Sequence, residues 1–168
     1  CSFDVIIDFT PILSIFLLAQ GARSENKAPA GQSGDFALGL ILGSPTGISG
    51  KYWMNGSNAV DMALGFPFSD DVKLNFHMDY LWHYPIEADV PGKLPFYAGV
   101  GGRLRSIDKP RESARADFGV RFPIGLEFLP KNIPFDFFVE MAPVVVFIPK
   151  GEFGFDGGIG ARFKFPRK

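Results

Sequence analysis

The segment from Gly151 to Phe165 constrains the fold most, because its residues alternate between two very different faces. One face carries large apolar side chains, and the other carries glycines and charges. Side chains on a β-strand point alternately to opposite sides, so the pattern predicts a strand with one apolar and one polar face. The bulk of the apolar face and the small or charged residues opposite it favour a narrow barrel with a polar interior.

Composition agrees with an all-β protein of one domain. The 168 residues include 19 Phe and 20 Gly, with 21% charged residues, a mixture that favours strands over helices. A net charge of −1 gives no reason to expect nucleic acid as a partner. The single cysteine, Cys1, excludes an intramolecular disulfide and a cysteine metal cluster.

Three regions are predicted along the chain. Residues 1–22 resemble a signal peptide, with an apolar run that Asp8 and Pro11 interrupt and that is too short for a spanning helix. An alternative reads Cys1 as the lipid-modified start of a lipoprotein. Residues 23–34 are polar and small, which predicts a flexible lead. Residues 35–168 form the predicted barrel.

Turn residues divide the barrel region into eight predicted strands, an even number that suits an eight-stranded antiparallel up-and-down transmembrane β-barrel. The break at Ser44-Pro45 is the least certain, because residues 40–54 could form one bent strand. Pro123 and Pro143 lie inside strands, where we expect bulges. The predicted strands are Phe36–Gly43, Thr46–Met54, Ala59–Phe66, Val72–Tyr84, Phe96–Ser106, Asp117–Phe128, Phe135–Phe147 and Glu152–Phe165.

Aromatic residues concentrate at the strand ends that would face the periplasm if the N-terminus lies there. Amphipathic aromatics favour the boundary between membrane and water, so we predict an aromatic girdle at this level. Its predicted members are Tyr52, Trp53, Tyr80, Trp82, Tyr84, Tyr97, Phe128, Phe135, Phe163 and Phe165.

The opposite face of each strand carries charges, with seven basic and seven acidic residues. A buried charge without a partner is costly, so a narrow lumen that holds these residues must pair them. About eight strands enclose only enough space for side chains, which predicts a closed lumen instead of a pore. The predicted ion-pair network contains Lys51, Asp61, Lys73, Asp79, Arg103, Arg105, Asp117, Arg121, Glu127, Asp136, Glu140, Asp156, Arg162 and Lys164.

The alternation, the girdles and the closing residues 161–165 resemble the small eight-stranded bacterial outer-membrane barrels, the group that includes the transmembrane domain of OmpA-type porins. This resemblance covers about residues 35–165. It implies an outer-membrane location in a Gram-negative bacterium and a monomer whose partners are the bilayer and lipopolysaccharide. It favours a structural or surface-interaction role.

Two other functions remain open. Some eight-stranded barrels modify lipid A, and His77 with Asp79 could supply an oriented imidazole, although His77 lies mid-strand and no matching Ser follows it. A lumen role for His77 is the simpler interpretation, and His83 is interpreted as an interfacial residue. The second alternative is a soluble, lipocalin-like barrel that binds an apolar ligand. We assign no catalytic, cofactor or metal-binding residue.

Overall fold

The computed structural model describes residues 30–66, 72–107, 115–148 and 151–165. The signal-like segment 1–22 and residues 23–29 of the predicted lead lie outside these ranges. Within them, no helix is long and apolar enough to cross a membrane. Nine strands are present there: β1 (Phe36–Ser44), β2 (Gly47–Trp53), β3 (Asn58–Gly65), β4 (Val72–Ile86), β5 (Gly92–Ile107), β6 (Arg115–Arg121), β7 (Ile124–Pro130), β8 (Phe135–Ile148) and β9 (Glu152–Phe165).

Every strand pairs with a neighbour on each side, and all pairings are antiparallel. Consecutive strands β1 to β5 form hairpins, and β8 pairs with β9. Strand β1 also pairs with β9, from Phe36 opposite Phe165 to Ser44 opposite Gly157. The pairings therefore run in a closed circuit, and among the described residues only strand ends, such as residues 152–156 of β9, lack a partner on one side. The predicted all-β antiparallel fold is confirmed.

Strands β6 and β7 together occupy one position in this circuit. The second half of β5, from Gly101, pairs with β6, and its first half, up to Ala98, pairs with β7; β8 likewise pairs with both. The sequence predicts one strand over Asp117–Phe128, but the structure interrupts it at Phe122-Pro123. Proline has no N–H to donate to the ladder, which explains the break. Eight strand positions thus contain nine strands.

The uncertain break at Ser44-Pro45 is a true turn. Thr46 closes it, since its hydroxyl lies 3.0 Å from the Gly43 nitrogen and 2.9 Å from the Gly43 oxygen. The expected bulge at Pro143 is absent from the β8–β9 ladder, where Pro143 lies opposite Phe155 without a register shift. A shift occurs instead on the other side of β8, where β6 changes register between Phe118 and Gly119.

Strand β8 shows how the faces are arranged. Phe135, Phe137, Val139 and Met141 are exposed, whereas the alternate residues from Asp136 to Val144 are buried. Exposed large apolar residues occur on all nine strands. The structure therefore has its apolar face outside and its charges inside. A lipocalin-like barrel requires the reverse, so that alternative is wrong.

The residues just before β1 pack against the lower end of the barrel, defined as the end where β1 begins and β9 ends. The N–H groups of Ala30 and Gly31 donate to the Gly56 oxygen at 2.8 and 3.3 Å. Ala30 is buried beside Trp53, and a Cβ at Gly31 would lie 2.2 Å from the Trp53 ring. Residues 30–34, the described part of the predicted lead, thus contact the lower end of the barrel.

Two glycines on the inner face of β9 give a test of this packing. A Cβ at Gly160 would lie 2.4 Å from the Phe138 ring and 2.5 Å from the Leu40 oxygen. At Gly154 the nearest atom is 3.5 Å away, at the flexible end of Arg103. We expect Gly160→Ala to lower the free energy of unfolding by about 1–3 kcal/mol in urea titrations in detergent, because overpacking forces neighbours to shift.

The matched control is Gly154→Ala, which adds the same methyl group to the same strand face. It should unfold at nearly the wild-type urea concentration. Equal effects from the two substitutions would contradict the packing described for Gly160.

Candidate functional site: the charged barrel interior

The interior contains most of the charged residues that the alternation placed there. Arg105 is half-buried, Lys164 is half-buried, and the side chain of Lys73 lies outside the described part of the structure. The side chains of Arg105 and Lys164 point inward, because each residue is an even number of positions from a buried residue on the same strand. The buried ones are Lys51, Asp61, Asp79, Arg103, Asp117, Arg121, Glu127, Asp136, Glu140, Asp156 and Arg162.

A lower cluster joins residues from six strands around two cations. Lys51 Nζ lies 2.6 Å from Glu127 Oε1, and Arg162 Nη2 lies 2.7 Å from Asp61 Oδ2. Arg162 Nη1 also lies 3.7 Å from Asp136 Oδ1. The Arg162 guanidinium stacks 3.8 Å from the centre of the Phe138 ring and donates from Nε to Ser49 at 2.9 Å. One arginine thus holds several strands together. The lower cluster comprises Lys51, Asp61, His83, Glu127, Asp136 and Arg162.

His83 belongs to this cluster, although the sequence interpretation placed it at the membrane interface. It is only 3% exposed. Its Nε2 lies 2.8 Å from Lys51 Nζ, and because an ammonium group can only donate, His83 accepts at Nε2. The ring proton is then on Nδ1, which lies 3.3 Å from the Ser57 oxygen. Both ring nitrogens are therefore partnered.

A middle cluster surrounds Arg121, which is fully buried. Its Nε lies 3.2 Å from Asp79 Oδ2, and its Nη2 donates to Glu140 Oε1. The Tyr97 hydroxyl donates to the other Glu140 oxygen at 3.1 Å. His77 completes the cluster, with Nε2 3.8 Å from Asp79 Oδ2. These side chains come from strands β4, β5, β6 and β8, so the barrel alone brings them together. The middle cluster comprises His77, Asp79, Tyr97, Arg121 and Glu140.

Two further pairs lie toward the upper end. Arg103 Nη1 donates to Asp156 Oδ1 at 2.7 Å, and the Ser44 hydroxyl donates to the same oxygen at 3.1 Å. Arg105 Nη2 lies 3.5 Å from Asp117 Oδ2, with the Arg105 side chain 32% exposed. The pairs therefore run along the full length of the interior, and the more exposed pair marks its upper rim.

Among the described residues, the fully buried acids of the interior outnumber the fully buried bases. The seven expected acids include Asp61, Asp79, Asp117, Glu127, Asp136, Glu140 and Asp156, and all are buried. Only four bases are buried among the described residues, namely Lys51, Arg103, Arg121 and Arg162. Arg121 faces two carboxylates and Arg162 faces three, and the half-buried Arg105 and Lys164 lie on the same inward face.

Two predicted girdle residues lie inside the barrel. Trp53 and Tyr97 are each only 1% exposed, so their assignment to the girdle is wrong. Lys51 Nζ lies 4.5 Å from the centre of the Trp53 ring and 5.5 Å from that of Tyr97. Both rings thus stabilise a buried ammonium group. Strand parity could have revealed this, because Lys51 and Trp53 are two residues apart and share a face.

The remaining predicted girdle residues have exposed or half-buried side chains. Several are in ring contact, such as Tyr80 with Trp82 at 4.9 Å and Phe135 with Phe163 at 5.4 Å between centroids. Phe163 in turn contacts Phe165 at 4.9 Å. These contacts form an aromatic zone on the outer surface at the lower end. Its residues are Tyr52, Tyr80, Trp82, Tyr84, Phe128, Phe135, Phe163 and Phe165.

Solved structures of β-barrels are similar to this chain. The N-terminal β-barrel domain of Pseudomonas aeruginosa OprF matches with a TM-score of 0.55 and 16% identity, over 78% of this chain and 96% of that one. This chain shares its barrel fold. Neisserial surface protein A matches with a TM-score of 0.45 and 16% identity, over 78% and 94% of the two chains.

The attachment invasion locus protein Ail of Yersinia pestis matches with a TM-score of 0.37 and 14% identity, over 80% and 100% of the two chains. No protein-family model and no curated protein matches the chain. The fold assignment therefore depends on the strand circuit and on the similarity to the OprF domain.

The lower cluster predicts that Arg162 is more important for stability than a rim arginine. We expect Arg162→Met to lower the free energy of unfolding by about 3–5 kcal/mol, because Asp61 and Asp136 would keep their buried charges without this partner. Arg105→Met removes a half-exposed arginine and should cost about 1 kcal/mol or less. Urea unfolding in detergent, followed by tryptophan fluorescence, measures both.

A second substitution tests the cause. Adding Asp61→Asn to Arg162→Met should recover part of the lost stability, since it removes one of the orphaned charges. Additive losses in the double variant would show that Arg162 acts through packing on Phe138 instead of through its charge.

Proposed function

We propose that this chain is a bacterial outer-membrane protein whose barrel spans the bilayer. The observation that carries the proposal is the inverted arrangement of the barrel, with an apolar exterior on every strand and ion pairs inside. Water would strongly disfavour such an exterior, whereas hydrocarbon would favour it. The closed strand circuit satisfies the backbone groups, as a lipid environment requires.

The barrel has an interior filled by side chains and does not act as an open channel. Trp53, Arg121, Arg162 and Tyr97 are among the largest fully buried side chains, and each occupies space in the interior. For example, Arg162 on β9 reaches Asp61 on β3, and these two strands are not neighbours in the circuit. An interior crossed by such pairs supports a structural or surface-interaction role.

The aromatic zone supports an orientation in the bilayer. Its Tyr, Trp and Phe rings would lie at the periplasmic boundary, where amphipathic rings are favoured. Lys131 and Lys164 lie beside this zone, around a shallow cleft that Asn132 and Pro134 also line. Phosphate groups of the inner leaflet would meet these lysines. The end of β5 at Ile107 and the start of β6 at Arg115 would then face outward, where lipopolysaccharide lies.

The lipid A-modifying alternative has little support from the geometry. His77 and Asp79 are each 1% exposed and lie among the ion pairs of the middle cluster. An acyl chain on the outer surface could not reach them without displacing a strand. The position of His77 favours a role inside the lumen.

The stability cost of an arginine introduced on the outer face distinguishes a membrane barrel from a water-soluble one. Met141 is 49% exposed in the middle of β8, and Tyr52 is 45% exposed near the end of β2. In lipid, we expect Met141→Arg to cost about 2–4 kcal/mol and Tyr52→Arg only about 0–1 kcal/mol, because the cost depends on depth. Unfolding of the protein in phospholipid vesicles measures the difference. Equal, small effects would contradict a lipid-facing β8.

Heat modifiability tests the whole proposal. The full chain, purified in detergent, should migrate faster on a gel before boiling than after it and should give a β-type circular dichroism spectrum. In planar bilayers the same sample should produce no conductance steps. Folding in water without detergent would contradict the membrane assignment, and regular conductance steps would contradict the filled lumen.

A further inference from the structure

The middle cluster contains an unusual histidine. His77 is 1% exposed, its Nδ1 has no hydrogen-bond partner, and its Nε2 is too far from Asp79, at 3.8 Å, for a hydrogen bond. His83, the other histidine, has partners at both ring nitrogens. Burial of an imidazole without hydrogen bonds is unfavourable. Hydrogen bonds explain the burial of His83 but do not explain that of His77.

Two carboxylates lie close to His77. One ligand atom from each of His77, Asp79 and Glu140 can be chosen so that all three lie within 4.8 Å of one another, and all three residues are buried. Asp79 Oδ2 lies 3.2 Å from Arg121 Nε, and both carboxylate oxygens of Asp79 are buried without a hydrogen-bond partner. Gly101 lies directly opposite Asp79, and a Cβ there would come within 2.0 Å of Oδ1. The carboxylate therefore occupies space that a larger residue would fill.

The charges around this cluster favour an additional cation. Arg121 is the only base in contact with Asp79 and Glu140 among the described residues, so one positive charge faces two negative ones. A divalent ion would remove the local excess of negative charge and would also give His77 a partner.

We propose that His77, Asp79 and Glu140 bind one divalent transition-metal ion inside the barrel. An imidazole nitrogen with two carboxylate oxygens is a ligand set that suits Zn²⁺, Mn²⁺ or Fe²⁺. Ligands at about 2.0–2.2 Å from the ion can be at most about 4.4 Å apart, so the cluster closes by a few tenths of an ångström on binding. Arg121 keeps its contacts with the carboxylates and orients them.

Such an ion enters while the barrel forms, because the three ligands come from β4 and β8 and are enclosed once the strands have paired. It links two strands that do not pair with each other. The proposed ion therefore stabilises the folded barrel and has no role in transport.

Zinc content after refolding tests the proposal. The full chain carries Cys1→Ser in all samples, because the thiol of Cys1 would bind Zn²⁺ itself. Each protein is refolded in detergent with Zn²⁺, separated from free metal by gel filtration, and analysed for zinc by mass spectrometry. We expect about one Zn²⁺ per folded barrel in the parent protein and at least a fivefold loss in His77→Gln and Asp79→Asn. His83→Gln is the matched control and should retain the zinc.

Folding is read on the same samples by heat modifiability, so metal loss and misfolding are distinguished. A folded parent protein without zinc overturns the proposal, as does a folded His77→Gln variant that keeps it. Where the variants do not fold, Co²⁺ replaces Zn²⁺ in the parent protein. Visible absorption from nitrogen and oxygen coordination then supports the site, and the absence of such absorption overturns it.

Discussion

The need to pair charges in a narrow interior determines much of this structure. Arg162 illustrates it, because this one side chain contacts Asp61 on β3, Asp136 on β8 and Phe138, also on β8. Each contact is possible only in one register of the strands. A shift by one residue would turn Arg162 outward and leave those carboxylates buried without it. The ion pairs thus specify the register, even where each pair contributes little net stability.

Much of the fold could be predicted from the period-two pattern. Strand β9 is the clearest example, since Asp156 and Arg162 are buried while Phe153 and Phe155 are 73% and 61% exposed. Parity decides which face a residue occupies and does not depend on distant partners. The interruption at Pro123 was less predictable. Proline signals an irregularity, but whether it gives a bulge or a break depends on how β5 and β8 continue their pairing.

The candidate site was predictable as a set of residues but not as a set of contacts. Lys51 and Glu127 are 76 positions apart, and Arg162 and Asp61 are 101 apart. Parity places such residues inside without indicating how far around the barrel they lie. Trp53 and Tyr97 differ from the prediction for another reason: both lie near strand ends, which suggests a girdle, but their parity places them inside. The sequence predicts His77 and Asp79 side by side on one strand face, but their proximity to Glu140 depends on where β4 and β8 lie around the lumen.

The seam between β1 and β9 has a consequence for how the molecule is made. Its nine residue pairs join Phe36–Ser44 to Gly157–Phe165, the most distant parts of the described chain. Loop-closure entropy must be overcome before such contacts contribute, so proteins with many of them fold slowly. Until β9 reaches β1, both strands have an unpaired edge that other chains could join. The last pairing to form therefore removes the two edges at which the incomplete sheet is exposed to pairing with other chains.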